Sequence, residues 1–343
     1  MSEATIKKPR IEYIDLAKGI CISLVVFYHI EYIYHLTLPG ATFMKAFRMP
    51  LYFFLSGCFF KAYDGFWGFF KRKVNKLLIP FIFFYFLFSV ATPYLKVYLF
   101  GMKTRTLPID RIFTAILYES YPNQPIWFLL CLFEDSIIFY LLYLFAQRYE
   151  NKSNLIICVG SILIGVIGIS LGLIHINLPA TFDSALSSIP FFAAGYLVFR
   201  KTSILKPNPY DKYLLLFTLL AFTFVWFFCS YFSLLNNYFP SKAALVLYPC
   251  GLLGTYGVVM MAKLLKKLPL ISYFGRYSIM ILVTHLEIII LIKKLLRYIG
   301  LNLPDQYILV INLILTLLSY LIIIPFMRKF MPHVTAQKDL IKI

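Results

Sequence analysis

Lys18 and His29 stand eleven residues apart in the apolar run KGICISLVVFYHI. At 100° per residue that spacing closes to within about 20° of three helical turns. Both side chains therefore lie on one helix face, about 16 Å apart along the axis. An ionisable group inside an apolar span is costly and points to function. Lys18 alone reads as a cation that snorkels to the interface, and His29 alone as a packed histidine. Their shared face favours a working pair. Asp15 lies one turn before Lys18, close enough to pair with it.

Further polar groups recur in other apolar runs. FRMPLYFFLSG, residues 47–57, contains Arg48, Pro50, Ser56 and Gly57. Arg48 suits an anion or an interfacial anchor, Pro50 a kink or a helix start, and Ser56 with Gly57 a close helix contact. KRKVNKLLIPF, residues 71–81, puts Lys71, Arg72, Lys73 and Lys76 before another run. Lys73 and Lys76 share a helix face, fit either to mark the cytoplasmic side or to hold a phosphorylated ligand. Glu134 and Asp135 follow PIWFLLCLF, and His285 and Glu287 lie in GRYSIMILVTHLEIII. The acids must face a polar cavity or a cation. His35, His175 and His333 read as incidental.

These residues need a membrane scaffold to position them. The 343-residue chain is 61% hydrophobic and 14% charged, with a mean hydropathy of +0.79. Soluble domains are about half apolar and a quarter charged. Runs of some 20 apolar residues, without β-barrel alternation, predict an all-α polytopic protein. About ten transmembrane helices are expected in one bundle, forming a single domain over 1–343. The expected spans are 12–35, 43–61, 77–100, 126–146, 153–174, 184–199, 213–234, 243–262, 272–297 and 306–327. The first reads as a transmembrane helix rather than a cleaved signal, because it holds Asp15 and Lys18 and lacks a small-residue cleavage site.

The net charge of +18 fits the positive-inside rule better than nucleic-acid binding. With the N-terminus in the cytoplasm, 22 of the 33 Lys and Arg fall on that side. An even number of spans then places both termini there. Lys103, Arg105, Arg111, Lys293, Lys294 and Arg297 oppose the trend. The six cysteines form no close pair, and no zinc, disulfide, P-loop or HExxH pattern occurs.

The motifs together resemble the membrane acyltransferase-3 family. RIEYIDLAKGICISLVVFYH is similar to its first-helix motif, a basic residue, ten residues and a histidine. FRMPLYFFLSG resembles the second-helix motif. KVNKLLIPF resembles the basic pair before the third helix, with lysines where arginines are commoner. WFLLCLF at 127–133 and GRYSIMILVTH at 275–285 resemble later blocks, so the likeness spans almost the whole chain. RMPLYFFLSG and the chain length most resemble the fucose 4-O-acetylase-like group. Glu134 and Asp135 are not among its hallmarks.

The resemblance implies an integral protein of the bacterial inner membrane. Such a protein moves an acyl group, acetyl first, from cytoplasmic acyl-CoA to a hydroxyl of a surface polysaccharide or its lipid-linked precursor. Its partners would be membrane lipid, the CoA donor and a carbohydrate acceptor, with no metal. On that reading Lys18, Arg72, Lys73 and Lys76 meet the CoA polyanion. His29 is general base or acyl carrier, supported by Lys18 and Asp15. Arg48, Ser56 or Trp127 donates to the oxyanion. A continuous polar path from Lys18 to His29 is expected for the pantetheine arm. The competing reading is a transporter or flippase in which His, Asp and Glu relay protons without acyl chemistry. It predicts inverted repeats, and none is visible.

Overall fold

The computed structural model describes residues 11–342 except 64, 101–107, 119, 120, 122, 203, 204, 208 and 302. Lys7, Lys8, Arg10, Lys103 and Arg105, used in the charge argument above, lie outside the described residues. The helices are, in order, α1 (Glu12–Tyr34), α2 (Ala41–Arg48), α3 (Pro50–Cys58), α4 (Gly65–Lys73), α5 (Ile79–Phe86), α6 (Thr92–Phe100), α7 (Ile112–Leu117), α8 (Trp127–Gln147), α9 (Ser153–Leu173), α10 (Phe182–Lys201), α11 (Leu214–Phe228), α12 (Ser241–Leu265), α13 (Pro269–Arg276), α14 (Ser278–Tyr298) and α15 (Asp305–Phe330). Among the described residues the only strand-like pairing is a bridge between Ser233 and Tyr238. The protein is all-α.

Eight helical stretches are long and apolar enough to cross a membrane. They account for eight of the ten expected spans. The remaining two are interrupted. Span 43–61 is α2 and α3, which meet at Met49 and Pro50. Pro50 occupies the first turn of α3, where its missing N–H costs nothing. Span 272–297 is α13 and α14, separated at Tyr277. The 21 residues of α14 include Lys293, Lys294 and Arg297, which lower its hydropathy. Span 213–234 is too long at its end: the helix stops at Phe228, and residues 229–239 form an irregular segment that returns to the site.

The stretch Gly65–Tyr98 runs on through two π turns, Val74–Leu78 and Leu87–Ala91. Pro80 and Pro93 follow them closely. Each proline lacks the amide that an α-turn would use, and a wider turn absorbs the clash.

Burial ranks the helices. In α10, 67% of the most apolar window is buried, and in α1, 61%, whereas in α11 it is 22%. Thus α1 and α10 sit at the centre, and α9, α11 and α15 present broad apolar faces outward, towards lipid. Glycines allow a very close central crossing. A Cβ on Gly19 would lie 1.9 Å from the Ile271 carbonyl oxygen, and one on Gly275 would lie 1.8 Å from that of Asp15. The backbones of α1 and α13 therefore touch, as small residues permit inside a membrane.

Candidate active site

His29 and His285 meet in the core. Their rings are 5.0 Å apart between centroids and inclined at 52°. α1 and α14 pack side by side to bring them there, and both side chains are buried. His285 Nδ1 lies 2.8 Å from the carbonyl oxygen of Ile281. A carbonyl only accepts, so Nδ1 carries the proton, and in the neutral ring Nε2 is a bare lone pair. That Nε2 is buried and has no hydrogen-bond partner among the described residues. The core thus contains an imidazole whose basic nitrogen is unengaged, beside a second imidazole.

His29 opens into a cavity of about 90 Å³, with room for roughly six water-sized groups. Arg48, Lys45, Tyr28, Gln124, Trp127 and residues 232–235 also line it. The Arg48 guanidinium lies 3.8 Å from the centre of the Tyr28 ring. Trp127 caps the cavity from the start of α8. The returning segment after α11 supplies Phe232 to Leu235.

A second cavity, of about 430 Å³, lies on the other side of Trp127 and Met49. Lys18, Ser56, Lys73, Lys76, Tyr52, Phe128 and Leu282 are among its walls. A third, of about 510 Å³, adjoins it through Lys18 and Phe59 and adds Asp15, Lys61 and Arg200. Lys18 stands at their junction, its Nζ 5.7 Å from the centre of the Phe59 ring. Lys73 and Lys76 both line the 430 Å³ cavity.

The expected continuous path from Lys18 to His29 is not open. The 90 Å³ and 430 Å³ cavities have no wall residue in common. A septum one helical turn thick divides them. α1 gives Ile22 to one side and Val25 to the other. Tyr52 faces one side and Met49 the other; on α8, Phe128 and Trp127 do the same. Tyr52 and Phe128 pack with ring centroids 5.7 Å apart, and the Tyr52 hydroxyl donates to the Lys18 carbonyl at 2.9 Å. Three helical residues cover only about 4.5 Å, so the barrier is thin. Apolar packing at mid-membrane is cheaper than an unfilled polar channel.

The other expected site residues sort as follows. Asp15 is buried near the mouth, and Arg276 Nε lies 3.5 Å from its Oδ2. Arg276 also approaches Glu12 at 3.7 Å. Asp15 thus ties α1 to α13, about 21 Å along α1 from His29. Arg72 stacks on Tyr63, 4.3 Å from the ring centre, and is absent from the walls of both large cavities. Lys76 is held by the C-terminal segment, through Asp339 at 2.9 Å and the Ala336 carbonyl at 2.9 Å. Asn75 clamps the same segment through the amides of Leu340 and Ile341 and the Ile341 carbonyl. Ser56 lies in the lysine cavity, on the opposite side of the septum from His29. Glu134 accepts a 2.6 Å hydrogen bond from Thr181, at the start of α10. Asp135 is fully buried and attracts Lys73. Glu134 thereby ties α8 to the start of α10, and neither acid lines the cavity with His29.

Residues 11–328 match the family model for an acyltransferase domain. The chain belongs to the acyltransferase-3 family. No curated protein and no solved structure matches it. This membrane acyltransferase therefore has its candidate centre where two histidines meet, with five cations (Lys18, Lys61, Lys73, Lys76 and Arg200) around the two large cavities across the septum. Among the described residues, no group of three or more His, Cys, Asp or Glu could hold a metal ion.

Sequence reasoning missed Tyr52, Lys45, Lys61, Arg200 and the C-terminal clamp. Lys45 precedes Arg48 by three residues, a same-face spacing in plain view. Lys61 and Arg200 were counted only as topology signals. Nothing local announced the clamp, because Asn75 and Ile341 are far apart in the chain.

Proposed function

We propose that this acyltransferase moves an acetyl group from acetyl-CoA to a hydroxyl of a surface polysaccharide or of its lipid-linked precursor. It would act in the bacterial inner membrane, with both termini cytoplasmic. The observation that carries this reading is the His29–His285 pair, one helical turn from a cavity lined by lysines. A thioester donor needs such an arrangement: cations for its phosphates, a narrow passage for its arm, and a base where the arm ends.

On this reading the CoA phosphates bind among Lys18, Lys61, Lys73, Lys76 and Arg200. The pantetheine arm parts Tyr52 from Phe128 and delivers the thioester to His29. Neutral His29 takes the proton of the acceptor hydroxyl as its oxygen attacks the carbonyl carbon. Arg48 or Trp127 donates to the oxyanion that forms. The C–S bond then breaks, the ester is released, and the imidazolium returns its proton to the CoA thiolate. The lone pair of His285 supports the charge that His29 acquires. Lys18 acts through donor binding, and Asp15 positions α1 on α13.

The test uses purified protein, labelled acetyl-CoA and a panel of sugar acceptors. His29→Ala should abolish transfer while leaving expression and the melting temperature near wild type. Full transfer by that variant removes His29 from the reaction, and no transfer by the wild-type protein to any acceptor returns the transporter reading to the front.

A further inference from the structure

The cavity beside His29 contains one more cation than the transfer step uses. Lys45 and Arg48 are three residues apart on α2 and share its face. Lys45 Nζ lies 3.9 Å from the centre of the Tyr231 ring and 5.5 Å from that of Tyr28. Arg48 is buried against Tyr28 in the same cluster, 3.8 Å from the ring centre. No acidic residue is among the walls of this cavity. Among the described residues, no carboxylate comes within ion-pair distance of either cation. Glu31 interacts with Arg48 at longer range, but its Oε1 accepts the Leu38 amide at 3.1 Å.

Arg48 is buried and Lys45 half-buried, so both charges have lost part of their hydration and favour negative charge nearby. Stacking on aromatic rings offsets only part of the desolvation cost. The transfer step creates one transient oxyanion, which Arg48 or Trp127 meets. Lys45 is left facing a space whose other walls, Arg48 aside, are aromatic or otherwise neutral. Trp127, in the same wall, offers an aromatic surface of the kind on which sugar rings lie.

We infer that the acceptor held beside His29 is an anionic sugar, whose carboxylate or phosphate seats against Lys45. The inference rests on the acyl-transfer reading and narrows its acceptor class: uronate-type sugars or sugar phosphates, lipid-linked ones included, in preference to neutral glycans. The anion belongs to the substrate, so the negative charge enters and leaves with each turnover.

The experiment is binding calorimetry on the full chain in dodecyl maltoside, a detergent without phosphate. The probes are glucuronate, glucose 1-phosphate, methyl glucoside and dibutyryl phosphatidylglycerol. At least one anionic sugar should bind ten times more tightly than methyl glucoside. Lys45→Gln should remove that preference, and Lys45→Arg should keep it. Acetyl-CoA affinity should be the same in all three proteins, because Lys45 lies across the septum from the donor cations. Equal binding of neutral and anionic sugars, or an anion preference that survives Lys45→Gln, overturns the inference. Lys45-dependent binding of the lipid alone also overturns it, since the cation then serves a headgroup. Loss of acetyl-CoA binding by the wild-type protein counts against the acyl-transfer reading instead, so the two failures are distinguishable.

Discussion

Replacing His285 by Asn isolates what that ring contributes. Asn can still donate to the Ile281 carbonyl, the bond now made by Nδ1 at 2.8 Å. It has no atom where Nε2 stands. Even complete loss of the hydrogen bond costs stability only about 0.5–1.5 kcal/mol. Loss of a proton-handling group from the reaction costs about 10²–10⁴-fold in rate, which is about 3–5 kcal/mol of barrier. The kinetic effect thus exceeds the structural one, and the two are separable. The assay is acetyl transfer in nanodiscs, measured as kcat and as KM for acetyl-CoA, with a parallel melting curve. His285→Asn should lower kcat at least a hundredfold, leave KM within about twofold, and hardly move the melting temperature. His285→Gln, which extends a polar atom further towards the Nε2 position, should recover part of the rate. A kcat within threefold of wild type would show that the ring contact at 5.0 Å is packing alone, and the two-histidine account would fail.

Three other outcomes follow from the same geometry. Asp339→Asn should lower the KM for acetyl-CoA up to about fivefold, because Lys76 loses its competing partner and an exposed ion pair contributes about 0–1 kcal/mol; an unchanged or raised KM counts against a donor role for Lys76. Gly275→Val should prevent recovery of folded, monodisperse protein, since its Cβ would lie 1.8 Å from the Asp15 carbonyl oxygen; a normal melting curve would show that α1 and α13 can separate freely. Single cysteines placed in segments 36–42 and 175–183, in a cysteine-free background, should react with an impermeant maleimide in intact cells, and labelling only after permeabilisation would reverse the orientation.

Much of the scaffold was legible because hydrocarbon imposes a single strong rule: about 20 apolar residues make a helix. Eight spans obeyed it. The rule blurs where polar chemistry sits, and both interrupted spans carry it: Arg48 just before Pro50, and His285 about two turns beyond the break at Tyr277. Span 213–234 overshot because Phe232 and Leu234 are apolar enough for lipid yet fold inward against the site. Periodicity correctly placed Lys18 and His29 on one face of α1. It could not show that Ile22 and Val25 fill the space between them, since that depends on Tyr52 and Phe128 from other helices. The meeting of His29 with His285 is likewise a tertiary event. Each histidine was visible as a costly polar group, but only the packing of α14 on α1 makes them a pair. A run of cations does not reveal which of them lines a cavity, and Arg72 lines neither of the two large ones.

The central claim is that the donor enters past the lysines and reaches His29 through the septum. A cryo-EM structure of the full chain with a non-hydrolysable acetyl-CoA analogue tests it most directly. The account predicts phosphates among Lys18, Lys61, Lys73, Lys76 and Arg200, Tyr52 and Phe128 parted around the pantetheine arm, and the acyl carbonyl within contact of His29. An analogue whose acyl end stops short of an intact Tyr52–Phe128 barrier, or whose phosphates lie beside Lys45 and Arg48, would contradict it.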